Sequence, residues 1–409
     1  MHFLMLTQYF PPETGAPQVR LAAMIGELLR LGHTVEVVTA LPNYPHGKIF
    51  PDYRGRFYRL ASFEGVRVHR VWMYAATGAG IKRLLNYFSF MITAWWGLRK
   101  AKKPDYLFVE SPPLFLGITG YLMAKRWRVP FIFNIADLWP DTVRSLGLIR
   151  DGFTLRQAEK LEKWLYCKAD CVTVVTESVR QILINDKQVP AHKVLLLPNG
   201  VDTQLFKPQP ADASLRARLN LPVDKQIILY AGTHGYAHGM EVILEAAQLL
   251  ANINVLFLCV GGGSEKIRIQ QLCERMGLKN VRFWEPQPPE LIASLYNLAL
   301  AGISTFRNSP MLECTRPAKT LPIMACGKPV LLSSAGEIAQ LIAEAKAGIV
   351  VAPGDYVALA DGARRLINDL AYATQLGNNG RAYAKLHLKW SIVVADWLQQ
   401  LAVLFPETH

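Results

Sequence analysis

Residues 316–330 read Arg-Pro-Ala-Lys-Thr-Leu-Pro-Ile-Met-Ala-Cys-Gly-Lys-Pro-Val: a loop, then a short apolar helix, then a buried strand. Pro317 suits helix entry, Gly327 stops the helix, and Pro329 prevents its continuation. Lys319 then sits in the first turn, where backbone N–H groups already favour an anion. This arrangement predicts a phosphate-bearing ligand; the plain alternative is a surface lysine on an ordinary helix. A second candidate is Asp137, within Ala-Asp-Leu-Trp-Pro-Asp at 136–141. It follows the apolar run 130–135, which reads as a buried strand, and ligand crevices of open α/β sheets lie outside such strand ends. Asp137 is either a catalytic group or the cap of the next turn.

Glycine loops supply further candidates. Gly232-Thr233-His234-Gly235-Tyr236-Ala237-His238-Gly239 joins an apolar run, 227–231, to a helical pattern over 240–250. Such a loop can cradle phosphates with its backbone N–H groups. His234 and His238 are its ring hydrogen-bonding groups, as ligand contacts or merely solvated. They make a poor metal pair, because no nearby carboxylate or cysteine completes a set. Gly15 stands at the first strand-to-helix junction, where the missing Cβ allows close approach to a phosphate. The pattern Gly-x-Gly-x-x-Gly is absent there, which weakens a dinucleotide reading.

The elements that must position these residues alternate along the chain. Segments 2–7, 34–40, 66–72, 105–110, 130–135, 171–175 and 194–197 read as strands, with helical spacing over 19–31, 114–125 and 155–168. After Pro198-Asn199-Gly200-Val201-Asp202 comes a polar, proline-marked stretch to about Pro222, and the alternation then repeats. Length agrees: 409 residues exceed one ordinary core. We therefore expect two doubly wound α/β domains, 1–200 and 201–388, with a final amphipathic helix over 389–405. The six cysteines form no Cys-x-x-Cys pair, so buried thiols in a reducing compartment are expected rather than a zinc site. No signal peptide is apparent, since the apolar start lacks a basic leader.

Charge is unevenly distributed. Residues 1–200 carry a net +11 and residues 201–409 a net +2, so the first half is expected to meet something anionic. Within it, residues 84–98 carry no charge, contain Tyr87, Phe88, Phe90, Trp95 and Trp96, and have basic flanks. The run falls short of the roughly 20 residues of a spanning helix. It suits a helix lying in a membrane interface, or a buried crossover helix, or both on different faces. Nucleic acid is not expected: the basic residues are spread among apolar aromatics without a recognisable motif.

Taken together, the two Rossmann-like halves, Gly32-His33 after the first helix, Pro198 to Asp202, Lys319 through Val330, and Gly336-Glu337 resemble family 4 glycosyltransferases. The likeness covers nearly the whole chain and is nearest to bacterial enzymes of cell-surface polysaccharide synthesis. It implies the GT-B fold, two Rossmann-like domains with a cleft between them, the last helix crossing back onto the first. It further implies a nucleotide-sugar donor on the second domain, a UDP-sugar being expected. The acceptor, on undecaprenyl diphosphate, would be held by the first domain. Transfer would proceed with retention, without a metal ion or other cofactor, at the inner face of the cytoplasmic membrane. Four positions depart from the family pattern: Thr233 replaces an arginine, His238 a lysine, Pro322 a ribose-binding glutamate, and Ala136 a histidine.

Transfer from a diphosphate requires neutralisation of the charge growing on the leaving group. Lys319, Arg316 or Arg307, with backbone N–H groups of Gly232 to Gly239 and Gly15, are the expected donors, and Glu337 lies near that site. Asp137, or the departing phosphate oxygen, takes the acceptor proton. Rival readings are a donor-binding scaffold subunit without turnover, suggested by the four departures, and a nucleotide-sugar epimerase.

Overall fold

A computed structural model describes residues 1–13, 15–44, 46–76, 80–145 and 152–406. The chain forms two compact units, Met1–Pro198 with Val393–His409, and Asn199–Ile392.

The first unit is built on β1 (His2–Leu6), β2 (Thr34–Ala40), β3 (Tyr58–Phe63), β4 (Val66–Val71), β5 (Tyr106–Ser111), β6 (Phe131–Ile135), β7 (Cys171–Val174) and β8 (Val194–Leu196). They form one sheet in the order β3-β4-β2-β1-β5-β6-β7-β8. All neighbours are parallel except β3 with β4. Phe3, Leu4, Met5 and Leu6 of β1 are all buried, as a strand covered on both faces requires. The chain leaves β1 toward β2 on one side and returns as β5 on the other, so the switch point lies between β1 and β5. Ligand-binding loops are therefore expected after β1, β5 and the adjoining β6, which carries Asp137.

The sequence reading missed β3. It pairs with β4 through a two-residue connection, Phe63 opposite Val66, with Glu64 at φ 48° and Gly65 at φ 83°. That is the left-handed pair a tight hairpin demands, and Glu64-Gly65 was the available signal. Only part of β3 packs inward, so its apolar alternation is weak.

The second unit has β9 (Gln226–Ala231), β10 (Val255–Val260), β11 (Val281–Trp284), β12 (Ala301–Thr305), β13 (Val330–Ser333) and β14 (Gly348–Val351), in the order β11-β10-β9-β12-β13-β14, all parallel. Its switch point lies between β9 and β12. The 232–239 loop leaves β9 there, and Phe306 and Arg307 leave β12. The stretch 199–222, read as polar linker, contains a helix at Ala213–Arg218, started by Asp212, whose carboxylate accepts from Leu215 N at 3.0 Å.

The C-terminal helix, Trp390–Leu404, passes into the first unit at Val393. Trp397 is fully buried against Phe3 and Phe108, each with ring centroids 5.9 Å away. The Gln400 amide donates to Leu196 O at 3.1 Å and accepts from Leu196 N at 3.0 Å, covering the exposed edge of β8. All six cysteines are free thiols.

Candidate functional site

Lys319 is the N-cap of the six-residue helix Thr320–Ala325 rather than part of its first turn. Thr320 N and Leu321 N already donate to Pro317 O and Ala318 O, at 3.1 and 3.3 Å. The helix N-terminus is thus less available to an anion than its sequence suggests, which leaves the ammonium as the candidate contact for one. Lys319 Nζ donates to Tyr230 Oη at 2.6 Å and lies 4.2 Å from the Tyr230 ring centroid. It also approaches His238 Nδ1 at 3.3 Å. Tyr230 Oη passes its own proton to Thr233 O at 2.6 Å, which fixes the phenol as an acceptor toward lysine. Burial holds Lys319 down to about 7.

His238 is kept neutral. Burial, then the Lys319 charge, depress it to about 2, so Nδ1 accepts from the ammonium and the proton belongs on Nε2. Its ring stacks on Phe306 at 5.2 Å and 10°, and its carbonyl accepts from Thr305 Oγ1 at 2.6 Å. Where the family has a lysine, this chain therefore offers an oriented neutral donor. Thr233 is exposed and brings no charge to the loop.

His234 is not solvated: it is fully buried, and neither ring nitrogen has a hydrogen-bond partner among the described residues. Burial, with Lys266 and Lys319, lowers it to about 4. Its ring lies by Tyr230 and Phe283, while its backbone joins the two glycine loops: His234 N donates to Gly262 O at 2.8 Å and Glu265 N to His234 O at 2.9 Å. The loops pack backbone to backbone. A Cβ on Gly261, at φ 150°, would lie 1.9 Å from Gly232 O. Gly261→Ala is expected to lower stability by about 1–3 kcal/mol and reduce the thermal unfolding midpoint. An unchanged midpoint would show that the loops separate freely.

The other cations are brought to the same unit but already have acid partners. Arg307 Nη2 donates to Glu241 Oε1 at 2.6 Å and Nε to Tyr236 O at 2.7 Å, with the guanidinium over the Tyr236 ring. A Cβ on Gly239, at φ 53°, would meet Arg307 Cγ at 3.0 Å, so the loop closes tightly on this arginine. Arg316 Nη2 donates to Glu337 Oε1 at 2.7 Å. Among the described residues, no carboxylate forms an ion pair with Lys319. Of the three predicted cations, it retains unmatched charge.

Asp137 and Gly15 belong to the first unit. Asp137 follows β6, half-buried; Oδ1 accepts from Thr142 Oγ1 at 2.7 Å, and burial raises its carboxyl above the ordinary range. Asp141, its nearest predicted companion, is engaged by Lys187 Nζ at 2.6 Å, which also reaches Glu162 at 2.8 Å. Gly15 is the N-cap of α1 (Ala16–Arg30), in ordinary extended backbone; a Cβ there would meet Gln18 Oε1 at 2.6 Å. Among the described residues, no group of three or more His, Cys, Asp or Glu side chains is arranged to hold a metal. Sequence reasoning missed Tyr230, Phe306 and Glu241, whose roles depend on which strand face or loop edge they occupy.

Comparison with known proteins identifies the family and the fold. Residues 15–200 match the family model described as glycosyl transferase 4-like domain, and residues 212–383 match glycosyl transferases group 1. The chain is 29% identical over 373 residues to a putative colanic acid biosynthesis glycosyl transferase, WcaI, of Escherichia coli K12, covering 88% of this chain and 90% of that protein. A sucrose-phosphate synthase from Thermosynechococcus elongatus superposes with a TM-score of 0.80 at 22% identity, covering 99% of both chains. Anabaena HepE, solved with UDP-glucose, superposes at 0.73 with 18% identity, covering 98% of this chain and all of that one. With both family models matched in order and this fold shared throughout, the chain belongs to the family 4 glycosyltransferases of GT-B fold.

Proposed function

We propose that this glycosyltransferase moves a sugar from a UDP-sugar to a lipid-linked glycan, with retention and without a metal ion, in surface polysaccharide synthesis. The observation that carries the donor half is Lys319: an enclosed ammonium without an ion-paired carboxylate, beside a glycine loop. A diphosphate supplies the missing charge, and the ammonium neutralises the leaving group as its charge grows. His238 Nε2–H adds a neutral donor. The UDP-glucose complex of HepE supports uridine as the base. The name of the Escherichia coli relative supports a polysaccharide pathway. Asp137, with its neighbour Asp141 committed to Lys187, acts alone as the base toward the acceptor hydroxyl.

The acceptor half rests on the first unit's charge and on α2 (Ile81–Lys100). Its inner face buries Asn86, Phe90, Thr93, Ala94, Gly97 and Leu98. Its outer face exposes Ile81, Leu85, Phe88, Ile92 and Trp96. At helical spacing these five fall within an arc of about 80°. Arg99 and Lys100 close the stripe at its C-terminal end. Among the described residues no helix is long and apolar enough to cross a membrane. An apolar stripe bounded by cations suits docking in the interface of an anionic bilayer, where a polyprenyl-linked acceptor resides.

The test is thermal stabilisation of the protein by UDP-, GDP-, ADP- and dTDP-sugars. At a hundred times its dissociation constant, the true donor stabilises by about 2.7 kcal/mol. A shift with UDP-sugars alone is expected; silence across the panel from folded protein overturns the donor assignment. The anomeric configuration of the product, read by NMR, tests retention.

A further inference from the structure

Beside α2 the first unit has a surface groove of about 380 Å³, lined by Ile49, Arg54, Gly55, Arg56, Phe57 and Trp72. None of these residues belongs to the transfer machinery derived above. Two of its lining segments are joined by backbone pairing: Trp72 N donates to Phe57 O at 2.7 Å, linking the segment after β4 to the one before β3. Arg54 Nε donates to Ile49 O at 3.1 Å, which fixes the base of that guanidinium. Arg56 is exposed and has no hydrogen-bond or ion-pair partner among the described residues. The lining contains no carboxylate. Asp52, two residues before Arg54 in the sequence, forms no ion pair with either arginine among the described residues, and its backbone carbonyl accepts from Arg59 at 2.8 Å.

The groove is continuous with the apolar stripe. Phe57 meets Trp96 of α2 edge-on, centroids 6.2 Å apart at 75°, and Lys100 Nζ lies 5.6 Å from the Trp96 centroid. Phe57, Trp72 and Trp96 are all exposed, amphipathic or aromatic residues at one border between cations and apolar surface. That is the side-chain order met on passing from headgroup to acyl chain. Two guanidinium groups without a facing carboxylate suit a phosphate ester, which their planar forks bind in two-toothed fashion.

We propose that the Arg54–Arg56 groove is a headgroup site for the phosphodiester of an anionic phospholipid, seated while the α2 stripe enters the bilayer interface. This rests on the membrane reading of α2. It adds selection of a phosphate headgroup to attraction by surface charge alone. The groove positions the enzyme on the membrane and takes no part in transfer.

The test is flotation of the full-length protein with phosphatidylglycerol-containing vesicles, with vesicles given the same surface charge by a fatty acid, and with neutral phosphatidylcholine. The wild type is expected to prefer phosphatidylglycerol over the equally charged carboxylate surface. Arg54→Gln with Arg56→Gln should weaken phosphatidylglycerol binding about tenfold and erase that preference, while Lys102→Gln with Lys103→Gln, the same charge loss elsewhere, keeps it. Equal losses in the two double variants overturn the headgroup site and leave the membrane reading standing. Release of bound protein by millimolar glycerol phosphate at constant ionic strength is expected, because the soluble headgroup competes for the same groove; equal release by sulfate shows general anion attraction and overturns the headgroup site. Wild type that floats with no vesicle, while donor stabilisation persists, removes the membrane reading itself and this site with it.

Discussion

Lys319→Ala is expected to lower kcat/KM by at least about tenfold, and toward a hundredfold if the ammonium contact strengthens in the transition state. The physical ground is that Arg307 and Arg316 are matched by Glu241 and Glu337, whereas among the described residues Lys319 hydrogen-bonds Tyr230 and His238 and no carboxylate. A folded variant with unchanged kinetics removes the phosphate assignment. A pH dependence follows. Lys319 titrates near about 7 in the free protein because burial opposes its charge. Only the ammonium attracts a diphosphate, and a bound diphosphate raises its pKa. Above pH 7, binding therefore takes up a proton, and donor affinity weakens as pH rises, by as much as about tenfold per unit. Titration calorimetry in buffers of different ionisation enthalpy reads the uptake directly. The alanine variant should lose it; uptake that persists assigns the proton to another group.

Asp137→Asn is expected to reduce turnover by about 10²–10⁴-fold while donor stabilisation persists, the range for removing a positioned general base. The amide keeps the size of the side chain and can still accept from Thr142 Oγ1 through its oxygen. A variant that loses both rate and donor stabilisation makes Asp137 a structural residue. Burial raises this carboxyl, and the base must be ionised to act. The acid limb of the wild-type rate profile should therefore lie above the ordinary aspartate value of about 3.9. Absence of that limb in wild type would separate Asp137 from proton transfer and leave the departing phosphate oxygen as the base.

The two-unit α/β architecture was legible because parallel strands buried on both faces are continuous apolar runs, and those at 3–6, 106–109 and 255–260 stand out from their surroundings. Turn chemistry was legible too: Gly327, at φ 68°, ends the short helix where expected. Strand β3 escaped because it is an edge strand, half-solvated, and its pattern is shared with any irregular loop. The helix at Ala213–Arg218 escaped because only Leu215 among its residues is buried, which leaves no periodicity to read. For α2, composition left a buried crossover and an interfacial helix both open. The fold places Asn86, Phe90 and Gly97 inward and Leu85, Ile92 and Trp96 outward, so one apolar helix has two differently used faces.

The donor candidates divide in the same manner. Residue type and local spacing made Lys319, the glycine loop and Asp137 candidates, because phosphate binding and proton transfer would need such groups at strand ends and tight turns. Their charge states were not legible. Whether an arginine is available depends on a glutamate 21 residues away, as with Arg316 and Glu337, or 66 away, as with Arg307 and Glu241. His238 is neutral because Phe306 and Lys319 enclose it, and His234 is buried because Gly261 and Gly263 allow a second loop to close over it. Chemistry is carried by residues that a sequence shows singly; availability is set by desolvation and by charges brought near from distant positions, and those exist only once the chain has folded.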